Sequence, residues 1–295
     1  MPHSPIERHT IPIDALKGSI SRMNVQILEK TDTNLRFIIE DADAPFVNAL
    51  RRIILSEVPC MAIDEVVILE NSSMLQDEVL ALRLGLVPIK TDLDAYNLRE
   101  ECKCKSEFGC NLCRVALTLD VEATDTVTVY SNSLTSENPA IVPVSGKIPL
   151  VKLTPGQKLK LEADVRLGKG KEHAKWQPVA VCAYKNMPQI KIDPKLCDAC
   201  GECIKICPKN VFANANGKIE IRNLLDCTLC QDCVDACPKE KKAIEVTWNK
   251  NAFIFNIEST GALPPERVMQ EAIKILDKKT ADFLKELAGE KDETS

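Results

Sequence analysis

Fourteen cysteines in 295 residues dominate the chemistry open to this chain. Twelve of them fall into three groups of four, while Cys60 and Cys182 stand alone. Two groups share one spacing: Cys197-x2-Cys200-x2-Cys203-x3-Cys207-Pro208 and, 30 residues on, Cys227-x2-Cys230-x2-Cys233-x3-Cys237-Pro238. In a reducing compartment such runs are metal ligands rather than disulfide partners. A 4Fe–4S cube needs one thiolate per iron. Three cysteines at two-residue intervals on a tight loop can wrap three corners of one cube. The fourth, three residues on and starting a helix, points away and can reach a second cube. Pro208 and Pro238 close each run where the chain must turn, and each removes an N–H donor beside the cluster. Soft thiolates in this spacing select iron–sulfur clusters; the alternative is the same fold with empty or zinc-filled sites.

The third group is Cys102-x-Cys104-x5-Cys110-x2-Cys113. Four thiolates can close a tetrahedral zinc site, and Gly109 permits the tight turn before Cys110. Reduced thiols in a flexible loop are the alternative, because spacing alone does not prove tetrahedral geometry. His173, in Glu172-His-Ala-Lys-Trp, has no acid, base or nucleophile beside it in a catalytic motif, so a structural role is expected. No P-loop, paired magnesium-binding carboxylates or nucleophile motif occurs, and no residue is assigned a catalytic role.

The flanks of the two long runs repeat as well. Ile190-Lys-Ile192-Asp precedes the first and Ile219-Glu-Ile221-Arg the second; Val211-Phe212 and Ile244-Glu-Val246 follow them. Each half therefore reads as strand, cysteine loop, short helix, strand. Near the N-terminus, Val25–Leu28 and Leu35–Glu40 read as a hairpin about Thr31-Asp-Thr-Asn34. Asp41-Ala-Asp43-Ala-Pro45 opens a helix with Phe46, Val47, Leu50, Ile53, Ile54 and Leu55 at helical spacing, and Pro59 stops it. Arg51 and Arg52 are its solvated positions. At the other end, the segment Phe253–Glu266 opens as a strand. A proline-started helix follows, its apolar stripe running through Val268, Ala272, Ile275, Leu276, Phe283 and Leu287. The acidic tail Glu290–Ser295 is expected to be solvated and frayed.

Residues 188–248 resemble the bacterial-type two-cluster ferredoxin module. The resemblance implies one 4Fe–4S cluster on Cys197, Cys200, Cys203 and Cys237, and a second on Cys207, Cys227, Cys230 and Cys233. The rest of the chain resembles another family. Asn48-Ala-Leu-Arg-Arg-Ile-Ile-Leu-Ser-Glu-Val-Pro59, Asp77-Glu-Val-Leu-Ala-Leu-Arg-Leu-Gly-Leu-Val-Pro-Ile89, Glu172–Val179 and Phe253–Glu266 look like segments of the alpha-like subunits of DNA-directed RNA polymerases, in particular their archaeal branch. That resemblance spans about residues 20–290, interrupted by the ferredoxin insert. It implies an α+β chain with a discontinuous alpha-like dimerisation domain (1–60 and 249–295), a mostly β insert domain (61–187) carrying the zinc loop 102–113, and the ferredoxin-like 4Fe–4S domain (188–248). Eukaryotic members carry a structural zinc site near the third group, with a shorter middle gap than here. In archaea the family pairs through its first and last helices with subunit L. The pair then forms a platform for small subunits N and P and for the second-largest subunit.

Composition is compatible with that reading. Lys and Arg number 38 against 43 Asp and Glu, a net charge of −5, which argues against a main nucleic-acid-gripping surface. No apolar run reaches the ~18 residues of a membrane helix, and the N-terminus has no apolar signal core, so a cytoplasmic protein is expected. Two function classes follow: a non-catalytic assembly subunit of a nucleotidyltransferase, or a ferredoxin-type electron-transfer protein. The ~230 residues outside the module hold no flavin or dinucleotide fingerprint and favour the first.

Overall fold

The computed structural model describes residues 23–106 and 109–288. The acidic tail from Glu290 lies outside them. Strands β1 (Asn24–Lys30) and β2 (Asn34–Glu40) form the expected hairpin. Its turn is closed by Thr31, whose hydroxyl accepts from the Asn34 N–H at 2.9 Å. Helix α1 (Ala44–Ser56) begins where the Asp43 carboxylate accepts the Phe46 N–H at 3.1 Å, with Pro45 in its first turn. Val47, Leu50, Ile53 and Ile54 form its buried stripe. Arg51 reaches back to the Asn48 side chain, while Arg52 is exposed.

Strand β3 (Pro59–Asn71) leads into a second core. Helix α2 (Asp77–Gly85) is followed by β4 (Val115–Glu122), β5 (Val127–Tyr130), β6 (Thr135–Ser136), β7 (Pro149–Leu153) and β8 (Lys158–Lys169). One antiparallel sheet has the order β3-β8-β4-β6, and β5 pairs with β7. Alternating residues of β4 and β8, such as Val115, Leu117, Leu119, Leu161, Ala163 and Val165, pack with Leu80 and Leu84 of α2. A register shift in β3 brackets Asp64 and aims it at two cations: Arg166 Nε at 2.5 Å and Lys175 Nζ at 2.7 Å. Both cations also lie over the Trp176 ring, 4.4 Å and 4.3 Å from its centroid.

Strand β9 (Val179–Ile192) returns to the first core. The small module follows: α3 (Glu202–Ile206), β10 (Phe212–Ala215), β11 (Lys218–Ile221) and α4 (Asp232–Asp235). Strand β12 (Ile244–Ser259) then leaves it, and α5 (Pro265–Ala288) ends the described chain. The first sheet has the order β1-β2-β12-β9. On one face Phe37 stacks on Phe255 at 5.3 Å, and Leu35, Ile39, Phe253 and Ile257 pack with α1 and the first turns of α5. Residues 179–187, within the stretch assigned by sequence to the insert, thus hydrogen-bond into the first sheet. Their alternation marks a strand but does not say which strand pairs with it.

Strands β9 and β12 continue past this sheet as a two-stranded ribbon. Beyond a register break between Asn249 and Phe253, Ile190 and Ile192 face Val246 and Ile244. There they pack with Val211, Phe212 and Ile219 into a third, small core. The described residues are thus α+β and mostly strand, with three apolar clusters among them.

The Asp64 cluster makes a pH-dependent contribution to stability. Burial alone would raise this carboxyl, but the hydrogen bonds and charges of Lys175 and Arg166 outweigh it and hold it below the ordinary aspartate range. A carboxyl depressed in the folded state stabilises above its unfolded pKa, and that contribution is lost as pH falls through the folded value. Asp64→Asn is expected to cost about 1–3 kcal/mol near neutral pH. It should also flatten the loss of stability below about pH 4. Urea unfolding of both chains across pH 3–7 checks this; parallel curves would refute it.

Candidate metal centres

The two long cysteine runs have the same backbone. In the first, Ala199 and Gly201 take φ +57° and +82°; in the second, the equivalent Leu229 and Gln231 take +61° and +69°. Alternation between right- and left-handed residues turns successive N–H groups into a concave nest, which suits an anionic cluster. The carbonyls of Gly201 and Gln231 then open the helices: Gly201 accepts from Ile204 at 3.0 Å, and Gln231 accepts from Val234 at 2.7 Å. One expectation is corrected here. The fourth cysteine does not start a helix; α3 and α4 begin before the third cysteine and end before Cys207 and Cys237. The left-handed residue after the second cysteine reverses the chain early, so the helix carries the third ligand and releases the fourth.

The side chains gather crosswise. Cys197, Cys200, Cys203 and Cys237 line one hollow, together with Gly201, Ile219 and Ile244. Cys207, Cys227, Cys230 and Cys233 line a second, with Val211, Phe212 and Val246. Each set thus takes three cysteines from one run and the fourth from the other. Burial, then the neighbouring Cys227, Cys230 and Cys207, pushes the Cys233 thiol up to about 11. Burial, then Cys197 and Cys200, raises Cys203. Such thiols ionise only when a cation compensates their crowding. At Cys237 burial works upward too, but the N–H groups of Ala243 and Lys239 and the charge of Lys242 outweigh it and lower the pKa.

Basic residues hold the cysteine loops by backbone carbonyls and carboxylates. Lys239 pairs with Asp198 at 2.6 Å, and Lys242 donates to the Cys237 carbonyl at 2.7 Å. Lys185 of β9 donates to the Cys227 carbonyl at 2.8 Å. Arg36 of β2 donates to the Leu225 carbonyl at 3.3 Å and the Asp226 carboxylate at 3.2 Å. Sequence reasoning missed these anchors. No periodicity or motif links Arg36 to a turn 190 residues away.

The third group converges to single-ion distances. The Sγ atoms of Cys102, Cys104, Cys110 and Cys113 all lie within 4.8 Å of one another. Cys102–Cys110, Cys104–Cys113 and Cys110–Cys113 are 3.7, 3.8 and 3.9 Å apart. A tetrahedron with ~2.3 Å zinc–sulfur bonds has edges of about 3.8 Å, so these donors fit zinc. Gly109 at φ +78° makes the turn before Cys110, whose N–H donates to Cys113 Sγ at 3.2 Å. Hydrogen bonding by the Ser106 backbone, then by Cys102, lowers Cys104 to about 7. Just after the group, Arg114 pairs with Asp164 of β8 at 2.7 Å and fixes the loop to the second sheet.

The remaining candidates are structural. His173 Nδ1 accepts the Lys175 N–H at 3.0 Å, and its ring meets Trp176 edge-on. Cys60 and Cys182 are buried apart from all three groups, and burial pushes them up to about 11 and about 12. Such protonated thiols pack as small apolar side chains. Large apolar side chains are also exposed: Ile273, Phe283, Leu284 and Leu287 of α5, and Val25 and Ile27 of the edge strand β1.

Comparison with known proteins accounts for most of this architecture. The sequence model described as the RNA polymerase Rpb3/Rpb11 dimerisation domain matches residues 36–280. The chain is similar to the DNA-directed RNA polymerase subunit Rpo3 of Archaeoglobus fulgidus: 44% identity, covering 88% of this chain and 96% of that protein. It is also similar to the Rpo3 subunits of Methanosphaera stadtmanae (41% identity; 89% and 97% covered) and Pyrobaculum arsenaticum (39%; 89% and 95%).

The unequal occupants of the repeated left-handed position provide a test. A non-glycine residue there costs on the order of 1 kcal/mol. Gln231→Gly is expected to raise the stability of the metal-loaded module by about 0.5–1 kcal/mol, and Gly201→Val to lower it by about 1–2 kcal/mol. Thermal unfolding checks both; a destabilising Gln231→Gly would show that the glutamine side chain is needed.

Proposed function

The chain belongs to the RNA polymerase Rpb3/Rpb11 dimerisation family, and from that premise we propose that it is a non-catalytic assembly subunit of DNA-directed RNA polymerase. The observation that carries this reading is the family match itself. It spans 36–280 and so takes in both ends of the first core, which meet in one sheet across β2 and β12. The ferredoxin-type electron-transfer reading leaves that core and the second one without a role. The polymerase active site belongs to other subunits. Among the described residues no helix is long and apolar enough to cross a membrane.

Pairing follows from the exposed apolar surface. A permanent interface of about 1,200–2,000 Å² or more needs an apolar stripe that its own core does not use. Helix α5 buries Val268 and Ala272 but leaves Phe283, Leu284 and Leu287 exposed. This supports a smaller alpha-like partner, subunit L in archaea, seated on α1 and α5. The pair would then recruit small subunits N and P and the second-largest subunit. The division proposed is a dimerisation unit (1–60, 249–295), an insert (61–187) and a ferredoxin-like unit (188–248), with 179–187 serving the first sheet.

The metal content proposed is two 4Fe–4S clusters and one zinc. The crosswise hollows support the cluster sets Cys197, Cys200, Cys203, Cys237 and Cys207, Cys227, Cys230, Cys233. The ~3.8 Å edges support zinc on Cys102, Cys104, Cys110 and Cys113. A bound cluster supplies redox capacity and ligation energy. The chain's residues wrap it, exclude water with Phe212, Ile219, Ile244 and Val246, and order the loops around it. The module's core is small, so ligation acts as its staple. Its role is structural or, where iron or oxygen varies, regulatory: an emptied module would have to be ordered at docking, which would disfavour later assembly.

Anaerobic co-purification of the chain with tagged subunit L and with the second-largest subunit tests the reading. About eight irons and eight sulfides per chain are expected, with about one zinc. Cys104→Ser/Cys113→Ser should lose zinc and keep iron. Replacing Cys197, Cys200 and Cys203 by Ser should leave pairing with subunit L intact but impair recruitment of the large subunits. A chain that pairs with no polymerase subunit would sink the assembly reading. Full assembly and unchanged transcription without clusters would leave the module a local structural element.

A further inference from the structure

The two cysteine runs are copies in sequence and repeat in backbone, but they are not held alike. Around the first set, the basic residues come from the module itself. Lys242 reaches the Cys237 carbonyl, and Lys239 pairs with Asp198. Around the second set, Lys209 of the module lines the hollow, but the basic residues that bond the cysteine loop come from the first sheet. Lys185 of β9 donates to the carbonyl of Cys227, a residue of that set, and Arg36 of β2 holds Leu225 and Asp226 just before it. Lys185 pairs across β12 with Ile254, and Arg36 with Asn256. Both therefore stand on the sheet face turned away from Phe253, Phe255 and the helices. Beside them lies a hollow lined by Glu29, Arg36, Tyr184, Lys185 and Asn256, with Glu29 opposite Arg36 in the β1–β2 ladder.

The charges are unequal as well. Arg36 has the Asp226 carboxylate, whereas Lys185 has no carboxylate ion pair among the described residues. Its ammonium is half-buried beside a second cation. Two cations on one sheet face need negative charge between them and the module. Asp226 on the module and Glu29 across the hollow supply part of it. A cluster held by the second set, to which Cys227 belongs, would supply the rest.

We propose that Arg36 and Lys185 are positioning residues that clasp the second cysteine set, and not the first, to the sheet carrying the pairing helices, so that occupancy of the second set is felt in that sheet. This rests on reading the module as a two-cluster site. With Cys227 ligated, the Leu224–Cys227 turn is fixed and both donors keep their acceptors. When the second set empties, that turn loosens, and Lys185 and Arg36 are left as like charges on strands β9 and β2. The first set is tied to the ribbon's far end and to its own lysines, so its loss stays within the module.

The experiment is amide hydrogen exchange, read by mass spectrometry on the full chain prepared anaerobically, with iron and sulfide counted in every sample. Cys230→Ser is expected to speed exchange in peptides covering 34–40 and 181–187 about tenfold, the scale of losing one or two charged hydrogen bonds. Cys200→Ser should leave those peptides within about twofold of the parent. Lys185→Met, at full iron content, should reproduce the faster exchange, and Lys185→Arg should restore protection. Should Cys230→Ser empty both sets or fail to fold, the Lys185 pair decides alone. Equal responses to the two cysteine variants, or an unchanged sheet in Lys185→Met, would overturn the clasp while leaving the clusters in place. A chain that binds no iron would sink the two-cluster reading and the clasp with it.

Discussion

Strands β9 and β12 run side by side through two separate cores, and most of the chain is arranged by that pairing. Over one stretch they present Tyr184, Phe253 and Phe255 to the helices. Past the break between Asn249 and Phe253 they present Ile190, Ile192, Ile244 and Val246 to the cysteine module. A single ladder of backbone hydrogen bonds therefore sets where the module stands relative to α1 and α5. The module has few apolar residues of its own, and the ribbon lends it four. A domain so small has too little core to stand without metal or a borrowed wall.

The metal centres divide along the same physical line. The third group sits on the second core, pinned through Arg114 and Asp164, and its sulfurs already approach a tetrahedron. The other eight thiols surround two hollows, where burial and neighbouring cysteines raise Cys203 and Cys233. The first arrangement suits one compact cation, the second a larger body that spreads its charge over many atoms. Charge on the chain is placed accordingly. Lysines 185, 239 and 242 sit at the cysteine loops of a protein that is acidic overall.

Local elements were legible wherever one residue type forces one geometry. Asp43, Pro45 and Pro59 mark the limits of α1, Thr31–Asn34 the hairpin, and Pro265 the start of α5. The repeat was legible because eight cysteines at fixed offsets leave few other readings. What escaped was set by distance or by tertiary pressure. Strand β9 looks like any alternating strand, and only the folded chain joins it to β12. Leu229 and Gln231 carry no sequence mark for left-handed backbone; the loop around the cysteines imposes it. The helix begins earlier than the cysteine spacing suggests for the same reason. Arg36 reads as an ordinary polar position in a half-buried strand until the chain brings Asp226 beside it.

The ribbon also makes the module topologically removable. Its entry and exit strands are antiparallel neighbours, and Asn186 lies opposite Phe253 in the ladder. A tight turn joining those two positions would close the ribbon as a plain hairpin and leave the strand order of the first sheet unchanged. Residues between them can thus be gained, shortened or exchanged as a unit without rerouting the chain. A lineage without these cysteines has no topological barrier to cross; what it must replace is a wall for the sheet face on which Arg36 and Lys185 stand.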